Sequence, residues 1–224
     1  MPPDSPQKRF LILGSLLLVF LLVSWWFVLS NPLLVLLRVS AEIGWDLFGN
    51  NSGRLISETP AGDWSLRVPV RFTIPASPQQ PEPVKIHSVD FDIGRTQAVA
   101  FTFSLPVYWA IILAAPNVRR NLRPLALGSV VVAILETMLF LAFAEISAHN
   151  VAAQWSPQTL DSSDWFLRFG YYLVVNVIPY VAPFLIALGL HREFGGQVFP
   201  GVHSKTVVVP SHLPVHSNNK RCPQ

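Results

Sequence analysis

The chain has 224 residues, of which 51% are hydrophobic and only 13% charged, and its mean hydropathy is +0.42. Soluble domains carry about twice that share of charge, so a water-soluble enzyme, a disordered chain and a nucleic-acid-binding module are all excluded. The net charge of +3 is spread too thinly to grip phosphates, and the single cysteine, Cys222, rules out an internal disulfide. What remains is a membrane protein.

In chain order, residues 1–9 bring Lys8 and Arg9 ahead of an uncharged run over 10–30. About 20 apolar residues cross a ~30 Å hydrocarbon core, and a cleavable signal peptide has an apolar centre of only ~7–15. With Trp25 and Trp26 suited to the far interface, the run reads as an uncleaved first span. Residues 32–48 are apolar apart from Arg38, Glu42 and Asp46, which recur every four positions on one helical face. That pattern predicts an amphipathic helix lying in the interface, with Trp45, Leu47 and Phe48 toward its other side.

Residues 50–95 predict a small β-rich segment outside the membrane. Trp64, Leu66, Val68, Val70, Phe72 and Ile74 alternate with polar neighbours, and Pro69 predicts an edge or a bulge. A second alternation sets Val89, Phe91 and Ile93 against Asp90 and Asp92, with a Pro-rich turn over 75–83 before it. Residues 54–59 suggest a further short strand, closed by the turn at 60–63. Asn50-Asn51-Ser52 matches a glycosylation acceptor, a pattern common by chance. So short a segment buries little core alone, which predicts support from the membrane, the interfacial helix or a partner.

Three more spans follow, over 96–118, 125–147 and 167–190, separated by a loop at 119–124 and an outer loop at 148–166. Pro106, Pro179 and Pro183 fall inside spans and predict kinks, which membrane helices tolerate when neighbours take up the freed carbonyls. Residues 191–224, with four histidines and four prolines, predict a disordered tail. Cytoplasmic loops collect Lys and Arg. Four spans put Arg119, Arg120 and Arg123 with Lys8, Arg9 and both termini on the inner side, leaving the carboxylate-rich β segment outside. The fold expected is thus an α-helical polytopic membrane protein of four spans and one interfacial helix, with a small β-rich insert.

Glu136 falls about 12 residues into its span, roughly 18 Å deep, where a carboxylate must be paired, hydrogen-bonded or neutral. Two readings stand for it: a hydrogen bond joining helices, or a proton or ligand site. Asn176, at similar depth, is the expected partner, with Tyr171 and Tyr172 as further candidates. Glu145 and His149 form an i,i+4 pair without a third metal ligand, and Arg168 reads as an interfacial cation beside Asp164. No G-x-S-x-G, phosphate loop or H-E-x-x-H occurs, and Ser15, Ser24 and Ser129 have no adjacent base. The expectation is no enzyme, no metal and no cofactor. An intramembrane carrier working through Glu136 is the alternative.

Two stretches carry a resemblance. Phe103-Ser104-Leu105-Pro106-Val107-Tyr108-Trp109 through Ala114-Ala115-Pro116 resembles the second span of the exosortase H-associated membrane protein family. Phe169-Gly170-Tyr171-Tyr172-Leu173 through Pro179-Tyr180-Val181-Ala182-Pro183 is similar to its last span. The shared order of anchor, outer β segment and three spans covers roughly residues 10–190. The resemblance implies a bacterial inner-membrane, non-catalytic accessory protein, whose partner is an exosortase or the proteins that enzyme sorts. It leaves the histidine-containing tail without a counterpart.

Overall fold

The computed structural model describes residues 6–48, 56–59, 62–74, 76, 82–115, 118–155 and 164–190. The acceptor tripeptide at 50–52, most of the Pro-rich turn and the tail from 191 onward lie outside the described residues.

The first helical run does not stop where the sequence suggests. Helix α1 (Pro6–Ser24) passes through a π-helical turn at Trp25–Leu29 directly into α2 (Ser30–Phe48). The expected separate interfacial helix over 32–48 is therefore a continuation of the first span, and Phe10–Leu47 is one apolar helix. Asn31-Pro32 does not break it because the wide turn shifts the backbone ladder just before the proline, where a missing N–H does least harm. The expected Arg38–Glu42 pair is present at 3.2 Å. Trp45, however, is buried against Phe140, while Val35, Val39, Ile43 and Leu47 form an exposed apolar stripe.

The second span, Arg95–Ala114, is one apolar run whose hydrogen-bond ladder changes part-way. Helix α3 (Arg95–Ala100) ends in a tight turn at 101–103, and α4 (Ser104–Ala114) starts afresh. Pro106, where the sequence predicts a kink, is the third residue of α4, since proline fits the first turn of a helix better than its interior. Nearly every side chain of α4 is buried, which makes it the central helix, packed against α1, α5 and α7.

Helix α5 (Val118–Trp155) overruns the predicted span at both ends, with Pro124 inside it and Glu145 and His149 on its last turns. The last span is a bent pair, α6 (Asp164–Asn176) and α7 (Ile178–Leu190), meeting at 56° around Val177. Pro179 is the second residue of α7 and Pro183 lies inside it, so of the two only Pro179 marks the break. By length and composition three helices suffice to cross a membrane, or four when the bent pair counts as one span.

Neighbouring side chains set the helix directions. Gly14 faces Ala114 and Trp25 bonds Thr102, so α1 and α4 are antiparallel. Trp109 meets Ser129 and Leu105 meets Glu136, so α4 and α5 are antiparallel too. Gly170 lies by Ile146, Tyr171 by Phe143, and Pro179 reaches Ser104 beside Glu136, so the bent pair runs back along α5. Lys8 and the Arg119–Arg120–Arg123 group consequently fall at the same end of the bundle.

The sheet sits at the other end. Strands β1 (Ile56–Glu58), β2 (Trp64–Val68) and β5 (Val89–Ile93) form an antiparallel sheet with β2 in the middle, and β3 (Phe72–Ile74) pairs with β4 (Val84–Ile86) as a separate two-stranded ribbon. The predicted alternation holds: Trp64, Leu66, Val68, Val89 and Ile93 are buried while Asp90 and Asp92 are exposed. The expected single strand through Pro69 is instead two strands, because β2 ends at Val68 and so escapes the missing N–H; that is how a central strand and Pro69 coexist. Gly62, with φ of 82°, supplies the left-handed residue in the turn between β1 and β2. Phe140 of α5 anchors this unit to the bundle, its ring 5.6 Å from both Trp64 and Phe101 and 6.2 Å from Trp45.

Candidate functional site

A helix that starts inside a bundle has backbone N–H groups with no partner of their own. The break at 101–103 creates that problem for α4, and its solution can be followed donor by donor. Phe101, Thr102 and Phe103 donate to the carbonyls of Ala98, Val99 and Ala100. Leu105 N–H donates to Glu136 Oε1 at 3.1 Å. Pro106, the next position, has no N–H to satisfy. Glu136, only 3% exposed, is thus an N-terminal cap for α4 supplied by a different helix.

The neighbouring carbonyl is treated in the mirror-image way. In an unbroken helix the carbonyl of Pro179 accepts from residue 183, but Pro183 has no N–H. Ser104 Oγ fills the gap, donating to Pro179 O at 2.9 Å. One turn of α4 therefore receives a carboxyl from α5 and gives a hydroxyl to α7.

Other polar side chains that face into the bundle are engaged as well. Ser40 and Thr137 share a 2.8 Å hydrogen bond between α2 and α5, and Thr137 also donates to Ala133 O. Tyr108 donates to Pro124 O at 2.6 Å, in a space that exists only because residue 128 is glycine: a Cβ there would run into the tyrosine ring and hydroxyl. Trp109 Nε1 donates to Ser129 Oγ at 2.8 Å. Between α2, α4 and α5 an apolar cleft of about 540 Å³ opens beside Glu136, lined by Leu33, Leu37, Leu105, Trp109 and Ile134 among others.

Glu136 is buried, and the partners expected for it are not beside it. Asn176 is exposed at the α6–α7 bend and Tyr172 is more than half exposed, so neither joins Glu136. Ser104, which sequence reasoning missed, is the residue that links the two prolyl sites. Its signal was the Ser104-Leu105-Pro106 order, which resembles a helix start more than a helix interior. Glu145 and His149 do lie one turn apart, with the His149 ring nitrogen 2.8 Å from the Glu145 carbonyl oxygen. Among the described residues no group of three or more His, Cys, Asp or Glu side chains is placed to hold a metal.

Outside the bundle, Arg67 and Asp90 form a two-pronged ion pair across β2 and β5, at 2.8 and 2.7 Å. The Arg67 hydrogen bond holds the Asp90 carboxyl below its ordinary pKa.

Residues 4–194 match the family model described as exosortase H-associated membrane protein. No curated protein and no solved structure matches the chain.

Proposed function

The chain belongs to the exosortase H-associated membrane protein family, and from that premise we propose that it is a non-catalytic accessory protein of the bacterial inner membrane, working alongside an exosortase. It crosses the bilayer four times, with both termini and the Arg119–Arg120–Arg123 turn in the cytoplasm and the sheet outside. The gathering of Lys8 and the arginine group at one end of the bundle, away from Asp90 and Asp92, supports that orientation.

One observation carries the non-catalytic reading. The intramembrane carboxyl is spent on the backbone of α4, and the serine beside it on the backbone of α7. A proton carrier or a general base needs a group that is free to change partners during its cycle. Here that change uncaps a helix in the middle of the membrane.

Co-purification in mild detergent with the exosortase from the same cells is the expected result. Glu136→Gln, which keeps an acceptor oxygen for Leu105, is expected to leave that association intact. Failure to recover the exosortase, together with solute uptake into vesicles that Glu136→Gln abolishes, would overturn the reading in favour of a carrier that uses the cleft beside Glu136. Cysteine labelling at Leu122 tests the orientation: reaction from the periplasmic side contradicts it.

A further inference from the structure

The last span turns two polar side chains outward near its bend. Asn176 is exposed at the end of α6, and Tyr180, one turn on in α7, is 52% exposed. Counted from Arg168 at 1.5 Å per residue, they lie about 12 and 18 Å into the span, which is hydrocarbon depth. Neither side chain has a hydrogen bond among the described residues; the ring of Tyr180 only packs on Phe103 at 5.4 Å. The backbone beside them is short of donors too. Pro179 has no N–H for the carbonyl of Val175, and the N–H of Tyr180 turns to the carbonyl of Val177 at 3.2 Å.

This contrasts with α4 and α5, where Glu136, Ser104, Tyr108 and Trp109 all face inward and are bonded. A carboxamide and a phenol pointing into lipid lose their hydrogen bonds with water and gain none from acyl chains. Polar side chains at this depth ordinarily face another helix. Val181, Phe184 and Leu185 surround the pair with exposed apolar surface of the kind a membrane helix packs on.

We propose that the Asn176–Tyr180 face of the bent span docks a transmembrane helix of the exosortase, an apolar helix that offers a hydrogen-bonding side chain at that depth. The inference rests on the accessory role proposed above and assigns the surface that performs it. Lipid does not meet the need, because phosphate and glycerol oxygens stay at the headgroup level. The choice between an exosortase and a second copy of this chain follows the family description, which is of association with an exosortase.

The test uses the full chain co-expressed with the exosortase. A photo-crosslinking amino acid at position 181, in an otherwise unaltered chain, is expected to capture the exosortase. Asn176→Leu combined with Tyr180→Phe suits a lipid-facing surface, so membrane abundance is expected to hold while recovery of the exosortase falls about three- to tenfold, the range of interhelical polar contacts. Asn176→Gln is expected to restore part of it. If recovery is unchanged in the double variant, this face is wrong while the association stands. If the unaltered chain recovers no exosortase, the association itself is wrong. Crosslinks from position 181 that join two copies of the chain overturn the assignment of occupant. Should the double variant fall in abundance, the crosslinking arm decides alone.

Discussion

The bundle and the sheet use polar groups for opposite purposes. In the bundle, Glu136 and Ser104 each cover a backbone group that a turn or a proline has left without a partner, and both are buried. In the sheet, Arg67 and Asp90 meet on an exposed surface above a ladder that is already complete. Hydrogen bonds that replace missing backbone partners in a dry interior are obligatory, whereas exposed ion pairs compete with water and are close to optional. The difference teaches where this protein tolerates change: outside freely, and at the two prolyl breaks very little.

The sharpest way to break that comparison is Glu136→Ala, which leaves the N–H of Leu105 unpaired and empties the space of a buried side chain. With about 2–3 kcal/mol for the stranded donor and about 1–2 kcal/mol for the cavity, a loss of about 4 kcal/mol is expected in detergent-solubilised unfolding, against less than about 1 kcal/mol for Glu136→Gln. Gly128→Ala comes next. The added methyl displaces Tyr108 from Pro124, for an expected loss of about 3 kcal/mol by the same measurement, and Tyr108→Phe recovers only part because ring carbons clash as well.

Ser104→Ala is expected to cost about 1.5 kcal/mol on its own and almost nothing in a Pro183→Ala background, where residue 183 supplies its own N–H. A double-mutant cycle without coupling would show that the serine is not standing in for the missing donor. The smallest effect belongs to the sheet. Asp90→Asn is expected to leave the melting temperature at neutral pH within error. Because the folded Asp90 pKa is depressed, whatever the pair contributes is present above about pH 4 and disappears as pH falls through the folded value. Parallel melts of the two proteins from pH 7 to 3, and in high salt, check both statements.

Much of this comparison is legible in the sequence, and the limits are physical. The strand alternation of 64–68 and 89–93 is read directly, because a two-residue period leaves each side chain only two faces to choose from. That Glu136 needs shelter is also legible, since a carboxyl far from both ends of an apolar run has no water to bond, and the side chain is buried. Its partner is not. Counting from a span's end gives height in the membrane but no direction around the helix axis, so Asn176, at a matching height, looked suitable while facing away.

The α3–α4 break left little trace. Phe101, Thr102 and Phe103 read as ordinary apolar helix, and only Pro106 three residues later hints at a new start. The π turn at Trp25–Leu29 is invisible for a related reason: a run of large apolar residues fits either ladder, and Pro32 then argues for a stop that the structure does not make. β4 was hidden by its length, since three residues after a Pro-rich stretch establish no alternation.

The uninterrupted helix from Pro6 to Phe48 has a mechanical consequence. At 1.5 Å per residue it is a rod of about 64 Å, roughly twice what the hydrocarbon core accommodates. Its upper half is clasped to the sheet by Arg38 with Glu58 and to α3 by Asn31 with Arg95. A rod held to the sheet and to α3 along one half acts as a lever, so a change in the tilt of its other half is expected to move the sheet with it.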